Sequence, residues 1–302
     1  MPRHTPIEGG TGAGVIRLAA LGDLVEDVVV ELGGPVNIAS DTPARITRRR
    51  GGSAANTAIT AARLCGTSRF LGQVGEDAIG TALLATMAAD RVDVTHVRRG
   101  GDTGTIVALV DHHGERSMLT DRRACVDLDR PEPRWLDDVD VLHVPLYSLA
   151  VEPVASTATT VIGWAHERGI AVSVDVSSTS VMAEVGRSAV RSLLAELRPS
   201  VLLANADEAA FLEIDGAVAG SVTVVKRGPE AAVVYRDERP PVLVPAIAVD
   251  EVPDTTGAGD AFAAGFLTDP RWRGDPESAV SSGHHAAARL LSSRTVRSPG
   301  TR

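Results

Sequence analysis

Short apolar runs recur along this chain and alternate with Ala-rich segments of helical spacing: VIRLAALG, SAANTAITAARLCG, RFLGQVG and DAIGTALLATMAADRV. The rhythm returns as VDVLHVP, a helical stretch over about 154–168, IAVSVDV, a second helix reaching about 197, and SVLLANA. A strand that reads as a near-continuous apolar run must be covered on both faces, and strands of that kind alternating with helices build βαβ units. The expected fold class is therefore α/β, a doubly wound, mainly parallel sheet with helices on both faces. With 302 residues, 44% of them hydrophobic, the chain can bury the core of one large domain.

Two regions depart from the rhythm by alternating polar with apolar residues. They lie at about 24–50 and 103–120, the second with HHGE as a hairpin turn between two strand-like runs. The expectation is a small antiparallel β lid projecting from an α/β domain that spans 15–302. Residues 1–14, rich in Gly, Pro and Thr and without an apolar segment of export type, read as a disordered tail.

The formal net charge of −9 argues against a nucleic-acid partner, because phosphate backbones are held by clustered Lys and Arg. The one basic run, RITRRR at Arg45 to Arg50, reads as a solvated strand or loop. No apolar stretch is long enough for a membrane helix, so no membrane partner is expected. The two cysteines, Cys65 and Cys125, lack metal-site spacing and are too few for a disulfide framework, which points to packing roles and a cytoplasmic location.

The chemistry concentrates in PDTTGAGDAFAAGFL, Pro253 to Leu267. A helix start offers unpaired amide N–H groups and the positive end of a dipole, and the small residues Gly257, Ala258 and Gly259 let an anion reach that backbone. Asp260 would then stand beside the anion, placed to take a proton from an attacking hydroxyl. Read alone, the same four residues equally describe a tight turn followed by a first-turn acid.

The fifteen-residue context resembles the second signature of the ribokinase-like (PfkB) carbohydrate kinase family, a DTxGAGD segment opening a helix. GGSAANTAITAARLCGTSRFLGQVGEDAIG, Gly51 to Gly80, resembles that family's first signature. Gly51 and Gly52 would permit close approach of a polyhydroxylated ligand, and Asn56 offers both donor and acceptors to its hydroxyls. The resemblance, running from about Val15 to Pro299, implies a kinase that moves the γ-phosphoryl group of ATP, with Mg2+, to a hydroxymethyl group of a sugar or sugar-like substrate. It leaves room for a monovalent cation. It assigns Asp260 as base, Gly257, Ala258 and Gly259 as anion hole, and Asp27, with Gly51, Gly52 and Asn56, as acceptor site.

Other positions match by resemblance too. Lys226 and Gly228, in VTVVKRGPE, stand where the family meets the nucleotide, and His285 falls near the adenine pocket. Asn205 and Glu208 match an N-x-x-E element whose role concerns the magnesium and phosphate environment, although an Asn three residues before a Glu is also an ordinary capping box. Asp175 ends a parallel strand, where ligands gather, and Arg116 and Arg122 fall on the lid. The segment from Glu208 to Ser221 is short for the family, and Tyr147 stands where some ribokinases place an acid. Few aromatics favour a sugar over a nucleoside, which remains the alternative acceptor; a non-catalytic regulatory member is the other. An exposed lid sheet offers a surface for a homodimer.

Overall fold

A computed structural model describes residues 15–237, 239–250 and 254–295; the expected tail over 1–14 lies outside them. Nine strands form one sheet in the order Val242–Val244, Ala232–Tyr235, Val222–Lys226, Val201–Asn205, Ala171–Asp175, Val141–Pro145, Leu18–Leu21, Ser68–Leu71 and Val92–Asp93. From Val222–Lys226 through Val92–Asp93 every pairing is parallel, and the two strands at the other edge join antiparallel. The α/β class read from the apolar runs is what forms.

Alternation along each strand feeds two separate cores. Leu18, Ala20, Val141, Ala171, Val201 and Val224 point to the face covered by the helices Ser53–Cys65, Ala78–Ala89 and Ala258–Leu267. Ala19, Leu21, Leu142, Val172, Leu202 and Val225 point the other way, under Val154–Glu167 and Arg187–Leu197. Period-two side-chain geometry makes one unbroken apolar run serve both layers.

The helices Ala258–Leu267 and Pro276–Thr295 pack almost backbone to backbone, since a Cβ on Gly265 would stand 2.6 Å from the Ser282 carbonyl and 2.7 Å from the Ala286 Cβ. That contact anchors the helix Ala258–Leu267 from behind. The turn GEDAIG, Gly75 to Gly80, is fixed by one residue: Asp77 caps the helix Ala78–Ala89 by accepting from the Gly80 amide at 2.7 Å, and also accepts from the Thr103 amide and hydroxyl.

The two polar-alternating regions form a second sheet in the order Ala44–Gly51, Val25–Leu32, Thr105–Val110, Arg116–Asp121. Each region is an antiparallel pair, as their alternation suggests, and the two pairs join through a parallel contact between Val25–Leu32 and Thr105–Val110. The short crossover after Glu208 is real. The helix Ala206–Leu212 has seven residues, and none follows before Val222. The sheet there is left as a shallow groove lined by Ala209, Ile214, Val225, Val233 and Tyr235.

Candidate active site

The carboxyl ends of the parallel strands converge on one place. Leu18–Leu21 runs into Gly22 and Asp23, Ala171–Asp175 ends on Asp175, Val201–Asn205 on Asn205, and Val222–Lys226 on Lys226. Open parallel sheets bind ligands beyond these ends. The helices Ser53–Cys65 and Ala258–Leu267 pack against each other above them and point their N-termini at the same space.

Gly257 caps the second of these helices with φ 76°, a left-handed conformation that a side chain would strain. Asp260 follows in the first turn, gripped from the other helix: Ser53 Oγ donates to Oδ1 at 2.6 Å and Asn56 Nδ2 to Oδ2 at 2.7 Å. Burial pushes its carboxyl up to about 6, against the lowering effect of those two donors. A carboxylate fixed by two donors and tuned toward neutrality is suited to proton abstraction.

The Ala258 amide, in a tight turn ahead of the helix, donates to the Thr255 carbonyl at 3.0 Å, between Gly257 and Gly259. Lys226 joins them: its Nζ lies 3.4 Å from where a Cβ on Gly259 would stand, and donates to Asp175 Oδ2 at 2.6 Å. Burial would depress the ammonium, but the Asp175, Glu208 and Asp260 carboxylates together outweigh it and the pKa is raised.

Gly51 and Gly52 have their small size explained by neighbours within the protein. A Cβ on Gly51 would run into the Asp27 carboxylate, and one on Gly52, whose φ is 102°, into the Asp23 carbonyl. Burial raises the Asp27 carboxyl, opposed by Arg49 and Arg50. Asn56 is more occupied than a free sugar ligand, since its Oδ1 accepts from Arg50 Nη1 at 2.7 Å while its amide faces Asp260.

Asn205 and Glu208 form the capping box that the sequence left open. Asn205 Oδ1 accepts from the Glu208 amide at 2.9 Å and Glu208 Oε2 from the Asn205 amide at 2.7 Å. Burial, then Asp175, raises the Glu208 carboxyl to about 7. Gly228 turns the chain after Lys226 with φ 60°. His285 is exposed and its Nδ1 meets the Ser281 carbonyl at 2.7 Å, whereas His284 packs edge-on against Phe262 at 5.2 Å.

Several residues escaped the sequence reading. Ser53 had no signal beyond standing at a helix start. RITRRR was read as solvated, which holds for Arg45 and Arg48 at 70% and 63% exposure. It fails for the last two arginines: Arg49 Nη1 donates to Asp254 Oδ2 at 2.9 Å, and Arg50 reaches Asn56. Arg116, from the far strand of the same sheet, donates to Asp254 Oδ1 at 2.8 Å and to Thr256 at 2.9 Å. Burial would raise the Asp254 carboxyl, but Arg49, Thr256 and Arg116 together hold it far below the usual carboxylate range. Arg122 forms a bidentate pair with Asp23 at 2.6 and 2.8 Å and lies over the Tyr147 ring at 5.9 Å. His143, buried in VLHVP, meets Ser173 Oγ at 3.2 Å, and burial lowers its pKa to about 4.

Among the described residues no helix is long and apolar enough to cross a membrane, and no cluster of three metal-ligating side chains occurs.

Similarity to known proteins agrees with this geometry. The chain is 32% identical over 287 residues to a fructokinase of Klebsiella pneumoniae, covering 86% of each. It is 30% identical over 298 residues to an ATP-dependent ribose-1-phosphate kinase of Halopiger xanaduensis, covering 95% of this chain and 96% of that one. Its fold is that of a ribokinase II from E. coli in complex with ATP and Mg2+, with a TM-score of 0.77 at 19% identity over 92% of this chain and 93% of the other. The model of the pfkB family carbohydrate kinases matches residues 17–301, and this chain belongs to that family of ATP-dependent phosphotransferases.

Proposed function

We propose that this protein transfers the γ-phosphoryl group of ATP to a hydroxymethyl group of a sugar-type acceptor, with Asp260 as the base. The observation that carries the proposal is Asp260 itself, held by Ser53 and Asn56 at a glycine-rich helix start, with its carboxyl raised to about 6.

In this reading the acceptor lies between Asp27, Gly51, Gly52 and Asn56, with its reacting hydroxyl directed at Asp260. The hydroxyl proton passes to Asp260 as its oxygen attacks phosphorus. Charge gathering on the transferring group is met by the helix start at Gly257 and Gly259 and by the Lys226 ammonium, which Asp175 keeps protonated. Bound with the nucleotide, Mg2+ supplies further neutralisation of its phosphates. Asn205 and Glu208 act on that environment from a distance, because their polar atoms already face each other across the capping box. Gly228 and His285 border the nucleotide, His285 from the helix Pro276–Thr295.

The four-stranded sheet serves as the lid that excludes water, and so limits loss of ATP to hydrolysis. Ile46 and Leu119, on the face of this sheet opposite Asp27, are 60% and 56% exposed, which supports a homodimer through this sheet. The reading places the enzyme in the cytoplasm. Sugar is favoured over nucleoside because only 3% of the chain is aromatic, which leaves little to stack on a base, and the Tyr147 ring lies under Arg122.

The test is ADP release with sugars, sugar phosphates, sugar acids and nucleosides, followed by a pH profile on the best acceptor. A base must be ionised, so kcat/KM should be flat above about pH 7 and fall close to tenfold per pH unit well below 6. A profile flat down to pH 4.5 removes Asp260 as base, and no ADP release with any acceptor removes the kinase reading for this chain.

A further inference from the structure

The end of the sheet opposite the active site carries a cavity of about 370 Å³ that the kinase reading does not use. Its wall comes from three places. Gly220 and Ser221 stand ahead of the strand Val222–Lys226, Arg236 and Arg239 lie in the turn after Ala232–Tyr235, and Arg273 ends the short helix Pro270–Arg273. Val222, also in the wall, is four residues from Lys226, or about 13 Å along the strand. The cavity and the active site are therefore separate places on one strand.

Three guanidinia meet here on a chain whose net charge is −9, and Asp237 is the one carboxylate in the wall among the described residues. Arg236 is the fixed member. Its Nη1 donates to the Gly274 carbonyl at 3.1 Å, its Nη2 lies 3.3 Å from Glu277 Oε1, and its Nε is buried without a hydrogen-bond partner. Arg239 is held beside it by the turn, since the Arg239 amide donates to the Arg236 carbonyl at 3.2 Å. Arg273 lies over the Trp272 ring, 4.6 Å from its centre, which orients the plane of the guanidinium.

Neither Arg239 nor Arg273 has an ion pair among the described residues, whereas Arg271, two positions before Arg273, is taken by Asp269 at 2.6 Å. Like charges round a concave wall repel one another and raise the local concentration of anions. What answers such a wall is a ligand with several acceptor oxygens. The guanidinia come from separate segments of chain, and each can grip a phosphate through two parallel N–H groups. A single carboxylate, with two oxygens in one plane, would engage one of them. The space equals the share of roughly a dozen liquid water molecules, which admits more than one phosphate group.

We propose that this cavity binds an anion carrying two or more phosphate groups, a diphosphate or a bisphosphate ester, through Arg239 and Arg273 with Arg236 behind them. The site involves neither the acceptor nor Asp260, so its occupancy does not depend on the kinase reading.

The experiment is calorimetric titration of the full chain, without nucleotide, with inorganic pyrophosphate, fructose 1,6-bisphosphate and citrate. The wild type should bind at least one of the two phosphate compounds. Arg239→Gln and Arg273→Gln should each weaken that binding tenfold or more. Arg130→Gln, which removes the same charge from a side chain 86% exposed elsewhere on the surface, should leave it within twofold. Arg239 and Arg273 are exposed, and near-ultraviolet circular dichroism checks that both variants are folded.

Pyrophosphate bound as tightly as the ester identifies an inorganic diphosphate, and binding confined to the ester identifies a bisphosphate metabolite; either supports the proposal. Pyrophosphate can also meet the nucleotide site, so the dependence on Arg239 and Arg273 decides, not binding alone. ADP release in the absence of added anion should stay within twofold of wild type in both variants, and a chain that releases no ADP leaves the calorimetric comparison intact. Absence of binding, binding unchanged in both variants, or citrate held as tightly as the phosphates overturns the proposal. An equal loss in Arg130→Gln traces the effect to net charge and overturns it too.

Discussion

Asp260→Asn is expected to lower kcat by about 10²–10⁴-fold, the range that positioned general bases contribute. The substitution preserves volume, and with the new amide turned so that its oxygen accepts from Asn56 Nδ2 and its NH2 donates to Ser53 Oγ, a hydroxyl that can accept as well as donate, both contacts survive. The accompanying stability change should therefore be small, about 1 kcal/mol, as two charge-assisted hydrogen bonds become neutral ones. Steady-state ADP release and a urea midpoint measured on the same preparation separate the two effects. Turnover within threefold of wild type would remove the base from the mechanism.

Lys226→Met should act on both fold and chemistry. The ammonium sits between Asp175 and Glu208 with 14% of its side chain exposed, and Asp175 is 8% exposed. Breaking a buried pair by removing one partner costs about 3–5 kcal/mol, because the remaining charge stays buried. Turnover should fall as well, since the positive charge nearest Gly259 is lost. Lys226→Met combined with Asp175→Asn should recover much of the stability, as the orphaned carboxylate is gone, while turnover stays low. Two contacting residues are not additive, and this cycle measures their coupling. If the double variant is no more stable than Lys226→Met, the Asp175 to Lys226 contact does not carry the stability assigned to it.

Much of this architecture can be read directly from the chain, for a local reason. Strands buried on both faces are continuous apolar words such as SVLLANA and IAVSVDV, so the parallel sheet is written in composition alone. Gly51, Gly52 and Asp260 were likewise legible because each belongs to a short motif whose residue sizes and charges make sense together. What stayed hidden depends on partners far away in sequence. Arg49 and Asp254 are 205 positions apart, and Arg116 and Asp254 are 138 apart. No periodicity in RITRRR distinguishes the arginines that face water from those that turn inward.

The Ala258 amide illustrates a different limit. A helix start predicts free donors in general, but which of them a tight turn consumes depends on backbone torsions three residues upstream. Asn205 and Glu208 show the limit from the other side: N-x-x-E is both a family element and a capping box, and the capping box that forms is compatible with either.

Asp254 joins parts of the molecule that the two substrates would contact separately. One of its oxygens takes Arg49 from the hairpin that carries Asp27, the other takes Arg116 from the second hairpin, and the residue itself stands three positions before Gly257. With the acceptor beside Asp27 and the nucleotide beside Gly257, as proposed, both substrates would rest on this one joint. Linkage through such a joint is reciprocal: by whatever factor bound nucleotide tightens the hold on the acceptor, the acceptor must tighten the hold on the nucleotide. Weakening the joint, as Arg116→Ala would, makes each substrate blind to the other before it makes either bind poorly on its own.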